Sequence, residues 1–295
     1  MKGRQMRYAA PATVDEARTL LSDNPGSQVF AGATDLVPQI RAGRPSPSMV
    51  VDLKRIDRLT AVLHEGGQWT IGAATPTADL TRNAEFTAMF PGLSEAAGLI
   101  GSDQIQNRSS LGGNLANASP AADSVPALIA NAGQAVIASG DGTRTVPAAE
   151  IATGPGRTSL ADGEFIIEFT LDDPPAGTGD AYLRMIPRTE MDIAIAGAAV
   201  RLTIADGTVS DATVVIGAVA PAVVVVTDAE AALVGAVLDG GRFDDATLDA
   251  VAAAASAACD PIDDKRGTVA YRRQVAGVLA KRAATVAAER AQNGV

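Results

Sequence analysis

The 295-residue chain has one cysteine, Cys259, and one histidine, His64. Those two scarcities close off much of metal and nucleophile chemistry. One cysteine cannot form a disulfide within the chain or hold an iron–sulfur cluster through four thiolates. With one histidine beside it, a Cys₂His₂ zinc site cannot be built. Any Ser-His-Asp or Cys-His mechanism would have to run through His64. Basic residues are outnumbered, 24 against 34, leaving a formal net charge of -10. A nucleic-acid binder usually carries a basic face, and docking on anionic lipid needs one too. Acidity does not bar anionic ligands, which need only a local array of donors. Long apolar runs are missing as well. The longest, Val214 to Val226, is broken by Pro221, and a membrane span needs about 20 residues. The opening stretch MKGRQMRYAAPATVDEA has basic residues but no apolar signal core. Together with the cysteine usage, this makes a reducing cytoplasm the expected compartment.

What is present is a foldable composition, 47% hydrophobic and 20% charged. The length suits two domains or one large one, and disorder is excluded. Thr13, with Glu16 three residues on, has the spacing of a capping box and predicts a helix from Val14. Val29-Phe30 reads as a short buried strand running into a turn, with a helix over 36–41 and another strand over 49–53. Leu59 to Leu63 and Trp69 to Ile71 predict a hairpin. His64 would lie at its surface end, and Trp69 would pack within it. Helices are expected from Pro76 to Leu80, Pro91 to Leu99 and Ala122 to Ala130. Strands are expected over 135–138, 143–146 and 165–171, with Gly140-Asp141-Gly142 as a turn. The prolines and glycines of 172–179 mark a linker. Beyond it come strands over 196–204, 208–216 and 221–226, then Ala-rich helices over 229–238, 247–258 and 268–289. In the last, Val275, Val278, Leu279 and Arg282 recur at helical spacing. Cys259 reads as a small apolar residue. Asp260, Asp263 and Asp264 read as a solvated loop.

Two loops carry the chemistry. In Phe30-Ala31-Gly32-Ala33-Thr34-Asp35-Leu36 a strand ends in small residues and a helix follows. Gly32 can take positive φ, and successive N–H groups there can form an anion nest. An ordinary strand–turn–helix would look the same. The second loop, Gly101 to Asp123, is dense in Asn, Gln, Ser and Gly and nearly free of charge. It could wrap a polar ligand, with Gly112-Gly113 allowing close backbone approach to a phosphate. It could equally be a buried crossover whose Asn side chains satisfy its own backbone. Neither loop has the Gly-Lys-Ser/Thr of a Walker A motif or the Gly-x-Gly-x-x-Gly of a Rossmann turn. A dinucleotide here would therefore need a different fold.

The pair AGATDL (31–36) and IQNRSSLGGNLANASPAAD (105–123) resembles the flavin subunit of the molybdenum hydroxylases, a family that includes xanthine and carbon monoxide dehydrogenases. The resemblance spans nearly the whole chain. It implies an α+β architecture: two FAD-binding subdomains of the vanillyl-alcohol oxidase type, over 1–57 and 58–175, and a C-terminal domain over 179–290 with a three-stranded antiparallel sheet and helices. It also implies FAD as the cofactor. Carried over by motif position, Val29, Phe30, Ala31, Gly32, Ala33, Thr34, Asp35 and Leu36 surround the pyrophosphate. Ser110, Leu111, Gly112, Gly113 and Asn114, with Asn117, form the second phosphate loop. Asp123 points to the ribose or adenine side, Ile100 packs near the flavin and Ile166 lines the adenine pocket. Arg184 and Ile193 reach the isoalloxazine, where Arg184 could stabilise an anionic reduced flavin. The implied partners are a [2Fe–2S] small subunit and a molybdopterin large subunit, assembled as a dimer of heterotrimers, with an electron acceptor such as NAD.

Two departures from the family pattern matter. Carbon monoxide dehydrogenases typically read Ala-Gly-Gly-His-Ser in the first loop, and this chain has no histidine there. An organic substrate, such as an N-heterocycle, purine or aldehyde, is therefore expected over carbon monoxide. A single cysteine excludes the relatives that carry an extra [4Fe–4S] cluster. The rival readings are a flavin-free scaffold of the same fold and a self-contained flavin oxidase. The intact glycine loops oppose the first. The position of His64 and Cys259 outside both motifs opposes the second.

Overall fold

A computed structural model describes residues 6–140 and 142–293. The expected turn residue Asp141 and the first five residues of the opening stretch lie outside the described residues. The chain is organised by three main sheets. The first is parallel and three-stranded, in the order β1 (Arg7–Ala9), β3 (Met49–Asp52), β2 (Gln28–Phe30), with helices α1 (Val14–Asp23) and α2 (Leu36–Arg41) between its strands. Thr13 caps α1 as its spacing predicts, its Oγ1 accepting from the Glu16 N–H. Glu16 bonds back to the N–H of Ala12 rather than of Thr13. Strand β2 is only half-buried, not a core strand.

Next come β4 (Val62–Glu65), β5 (Gln68–Gly72), α3 (Thr77–Arg82), α4 (Ala84–Met89), α5 (Pro91–Gly98), α6 (Asp103–Gln106), α7 (Leu111–Ala116), α8 (Ser124–Ala130), β6 (Gln134–Ser139), β7 (Gly142–Pro147), β8 (Ala152–Gly154), β9 (Arg157–Thr158) and β10 (Phe165–Asp172). Five of the strands form an antiparallel sheet in the order β4-β5-β10-β6-β7, while β8 and β9 pair separately. Central β10 buries both faces. Phe165 and Ile167 pack with Val51, Ala17 and Ala138 toward the first sheet. A bulge after Ile166 shifts the alternation. Ile166, Phe169 and Leu171 accordingly share the other core with Ile71, Leu93 and Leu128.

The hairpin turn falls at Gly66-Gly67, so His64 lies within β4 rather than beyond it. Its ring stacks on Trp69 at 4.4 Å. Nδ1 lies 2.6 Å from Glu85 and Nε2 lies 2.9 Å from Asp173. The expected surface histidine is thus a half-buried bridge between α4 and the segment after β10.

The third sheet is antiparallel and runs β11 (Thr178–Met185), β12 (Ala196–Ala205), β13 (Thr208–Gly217), β14 (Val224–Val225). It has the three long strands that the resemblance implies, but their membership differs from the apolar runs. β11 begins inside the expected linker, shrinking it to residues 173–177, and the run over 221–226 contributes only two residues at an edge. The helices α9 (Thr227–Leu233), α10 (Asp245–Ala257) and α11 (Val269–Asn293) cover one face. The buried side of α11 is chiefly alanine (Ala276, Ala280, Ala283, Ala284, Ala287, Ala288, Ala291), with Leu279. Val275 and Val278 are only half-buried. Small side chains let helix and sheet approach closely: a Cβ on Gly179 of β11 would lie 2.3 Å from the Ala287 carbonyl oxygen. Cys259 is buried, its thiol donates to the Ala255 carbonyl at 3.2 Å, and burial pushes its pKa up to about 11. It therefore stays a thiol at neutral pH. Asp264 is engaged by Arg272 at 2.7 Å. Among the described residues no acidic or cysteine–histidine group is arranged to hold a metal, and no helix is long and apolar enough to cross a membrane.

Candidate functional site

The two loops singled out in the sequence meet at the carboxyl end of β2. Gly32 touches the second loop so closely that a Cβ there would lie 1.7 Å from the Arg108 carbonyl oxygen. Its small size thus serves loop-to-loop packing. The left-handed residue is its neighbour, Ala33, at φ 58°, so the expected positive φ at Gly32 is displaced by one position. Across the gap Gln39 Nε2 donates to Asn117 Oδ1 at 2.9 Å, a second tie between the loops. Gly112 packs on the end of β5, its N–H donating to the Ala73 carbonyl at 3.1 Å, and a Cβ there would clash with that oxygen at 2.4 Å. Gly113 differs. The Ser110 Oγ that caps α7 accepts its N–H at 3.0 Å, and no other heavy atom comes near where its Cβ would be.

These ties enclose a cavity of about 440 Å³. Of the residues expected at the site, Val29, Phe30, Ala31, Gly32, Ala33, Thr34, Asp35, Leu36, Ile100, Ser110, Gly112, Gly113, Asn114, Asn117 and Ile166 line it. Leu111 instead points into the core beneath. Asp123 and Arg184 form a separate buried ion pair at 2.6 Å, with the Tyr182 hydroxyl donating to the other Asp123 oxygen at 2.9 Å. Burial outweighs both partners and raises the Asp123 pKa to about 6. Tyr182 fits because Gly197, two residues along β12 from its partner Ala199, has no side chain: a Cβ there would lie 2.6 Å from the hydroxyl. Ile193 is half-exposed on the loop between β11 and β12.

Sequence reasoning missed a wall. Thr158 and residues 160–165, from the end of β9 to the start of β10, also line the cavity, as do Leu53, Ala73 and Ala74. The turn Ala161-Asp162-Gly163-Glu164 is legible as a turn, but nothing local says that it folds over the loops. Partial enclosure by the cavity walls raises the Asp35 pKa. Among the described residues the N–H groups of Gly32, Ala33, Thr34 and Asp35 have no acceptor. A concave wall of small residues with unspent N–H donors, open at Gly113, suits a bulky phosphate-bearing ligand such as FAD.

A family profile described as the FAD binding domain in molybdopterin dehydrogenase matches residues 4–172. The chain belongs to the FAD-binding subunits of the molybdenum hydroxylases. A second profile, the CO dehydrogenase flavoprotein C-terminal domain, matches residues 181–287 of this molybdenum hydroxylase subunit. The chain is 33% identical to the carbon monoxide dehydrogenase medium chain of Hydrogenophaga pseudoflava, over 96% of this chain and 97% of that one. It is 30% identical to the nicotine 6-hydroxylase medium subunit of Paenarthrobacter nicotinovorans, with the same shares covered. Its fold superposes on the solved H. pseudoflava carbon monoxide dehydrogenase lacking the Mo-pyranopterin moiety, with a TM-score of 0.91, 35% identity and 97% and 98% of the two chains covered. The cofactor of this molybdenum hydroxylase subunit is FAD, and the protein is an oxidoreductase subunit.

Proposed function

We propose that the subunit passes electrons from the [2Fe–2S] clusters of a small partner chain, through FAD, to an acceptor such as NAD, while a molybdopterin-bearing large subunit oxidises the substrate. The observation that carries this reading is the cavity framed by two glycine loops, with unspent N–H donors on one and an open glycine on the other. Residues 29–36 hold the diphosphate from one side. Ser110, Gly112, Gly113, Asn114 and Asn117 hold it from the other, with Ile166 and the 158–165 wall about the adenosine half. Asp123 is assigned to the ribose or adenine side, and Ile100, Arg184 and Ile193 to the flavin half. Leu111 supports the second loop from the core. Bound FAD supplies the redox chemistry, and the protein supplies binding, orientation and tuning. The chain's own task is then to exclude water and to keep its carboxylates and donors in register. That agrees with a cavity wall that carries neither a histidine nor a lysine.

An organic substrate is favoured over carbon monoxide, because Thr34 and Asp35 stand where carbon monoxide dehydrogenases have His-Ser. The proposed domains are 1–57, 58–175 and 179–290, and the proposed setting is a cytoplasmic dimer of heterotrimers. The test is to purify the chain with its co-expressed partners, record its absorbance and release the chromophore in acid. About one FAD per chain, bleached when an N-heterocycle or aldehyde substrate is added anaerobically, is the expected result. A colourless preparation that takes up no added FAD would overturn the reading.

A further inference from the structure

The cavity wall has no cation. None of its lining residues is lysine or arginine, whereas Asp35, Asp162 and Glu164 all belong to it. A diphosphate brings two negative charges into that company, and Asp35 and Asp162 repel it, whereas Glu164 is paired with Arg144 at 2.7 and 2.9 Å. A second cation, besides the Arg144 that pairs with Glu164, is tied to the first loop. Lys54, just after β3, donates its Nζ to the Ala31 carbonyl at 2.7 Å and to Asp52 Oδ1 at 2.6 Å, and lies 4.4 Å from the Phe30 ring centre. Asp52 is held in turn by the Tyr8 hydroxyl at 2.8 Å and by the Lys54 N–H at 3.0 Å. Burial pushes the Asp52 carboxyl up, but the bonds from Lys54 and Tyr8 outweigh it and keep it ionised.

A trans peptide sets its C=O and N–H on opposite sides. An ammonium gripping the Ala31 oxygen therefore turns the Gly32 N–H the other way. A charge-assisted bond of this kind is about twice as strong as a neutral one, so it suits fixing a loop of small residues with little packing of its own.

We propose that Lys54 is a positioning residue for the diphosphate: anchored by Asp52 and Tyr8, it sets the Ala31–Gly32 peptide so that an N–H, not a carbonyl, is offered to the ligand. The proposal rests on the FAD reading and deepens it. If Lys54 merely satisfied Asp52 at a strand end, its loss would lower stability without singling out phosphate-bearing ligands.

The experiment strips flavin from the purified assembly and titrates FAD, ADP and riboflavin into wild type, Lys54→Met and Lys54→Arg, following flavin fluorescence and, for ADP, heat. Lys54→Met is expected to weaken FAD and ADP by about tenfold, the scale of one lost charge-assisted bond. Riboflavin, which has no phosphate, should change less than twofold, and Lys54→Arg should recover most of the loss. Unchanged FAD affinity in Lys54→Met, or an equal loss for riboflavin, overturns the proposal. Should Lys54→Met not fold, Tyr8→Phe removes only the hydroxyl that fixes Asp52. It should weaken FAD and ADP together and spare riboflavin, and no change there overturns the proposal too. Wild type that binds neither FAD nor ADP would instead overturn the FAD reading itself.

Discussion

Two glycines at the site should respond to alanine in opposite ways, because one faces protein and the other faces the cavity. At Gly32 a new Cβ would lie 1.7 Å from the Arg108 carbonyl oxygen and 2.3 Å from its carbon. Both are backbone atoms, so neither can swing aside, and relief requires the loops to part by roughly 1.5 Å or more to reach ordinary contact. Overpacking of this kind costs about 1–3 kcal/mol. For a chain of this size that lowers the melting temperature by several degrees, at roughly 2–4 °C per kcal/mol. FAD affinity should fall as well, because the two phosphate loops no longer meet. At Gly113 the nearest atom to a new Cβ is Ser110 Oγ at 3.2 Å, a contact that the hydroxyl can ease. Alanine within α7 is expected to add about 0.5–1 kcal/mol of stability, yet its methyl group would occupy space on the cavity wall. Gly113→Ala should therefore melt at or above wild type and bind FAD at least about tenfold more weakly, a loss of ~1.4 kcal/mol. Thermal melts of the flavin-free protein combined with FAD titrations separate the two effects. The reasoning fails if Gly32→Ala matches wild type in both, or if Gly113→Ala loses as much stability as Gly32→Ala.

Asp180 of β11 is fully buried and accepts from the N–H groups of Gly92 and Leu93, at 2.9 and 3.1 Å, and from Asn131 at 2.8 Å. Asp180→Ala orphans all three donors and should cost about 3–5 kcal/mol in urea unfolding; a cost below 1 kcal/mol would show that the bonds across this seam do little. The His64 pKa is raised by Glu85 and then Asp173. Its stabilisation is present in full below the unfolded pKa near 6.5 and fades as pH rises through the folded value. The stability gap between wild type and His64→Gln should accordingly narrow from pH 6 to pH 9, and a constant gap would refute the bridge. Asp123, with a folded pKa of about 6 against the ordinary 3.8, keeps its proton in the folded state over a range where the unfolded chain has released it. Wild type should therefore lose up to about 3 kcal/mol relative to Asp123→Asn as pH rises from 4 to 6. Parallel pH profiles for the two would mean that the carboxyl titrates normally.

Legibility followed how local each signal is. The α1 cap, the helix over 36–41, the hairpin about Gly66-Gly67 and strand β10 rest on patterns within a few residues, and they appear close to where they were read. β11 was hidden because its run, Thr178 to Met185, starts in a proline- and glycine-rich stretch and carries Asp180 and Arg184, which look like surface residues until their partners are known. The buried face of α11 was hidden because alanine gives weak amphipathic contrast. Its role depends on Gly179 across the contact, over a hundred residues away. His64 looked idle because neither Glu85 nor Asp173 is near it in sequence.

The sequence by itself determined the kind of site. Small residues after a strand, and a long Asn- and Gly-rich loop with few charges, suit a backbone that must be approached closely. One cysteine and one histidine ruled out a Cys₂His₂ zinc site and a four-thiolate iron–sulfur cluster without any coordinates. Only the tertiary structure decided what each residue does there. It set Gly32 against Arg108, left Gly113 open, folded residues 158–165 over the cavity and put Lys54 behind Ala31. Those assignments depend on contacts between segments far apart in the chain. Close approach and charge act through space with a reach of a few ångströms, so no local pattern records them.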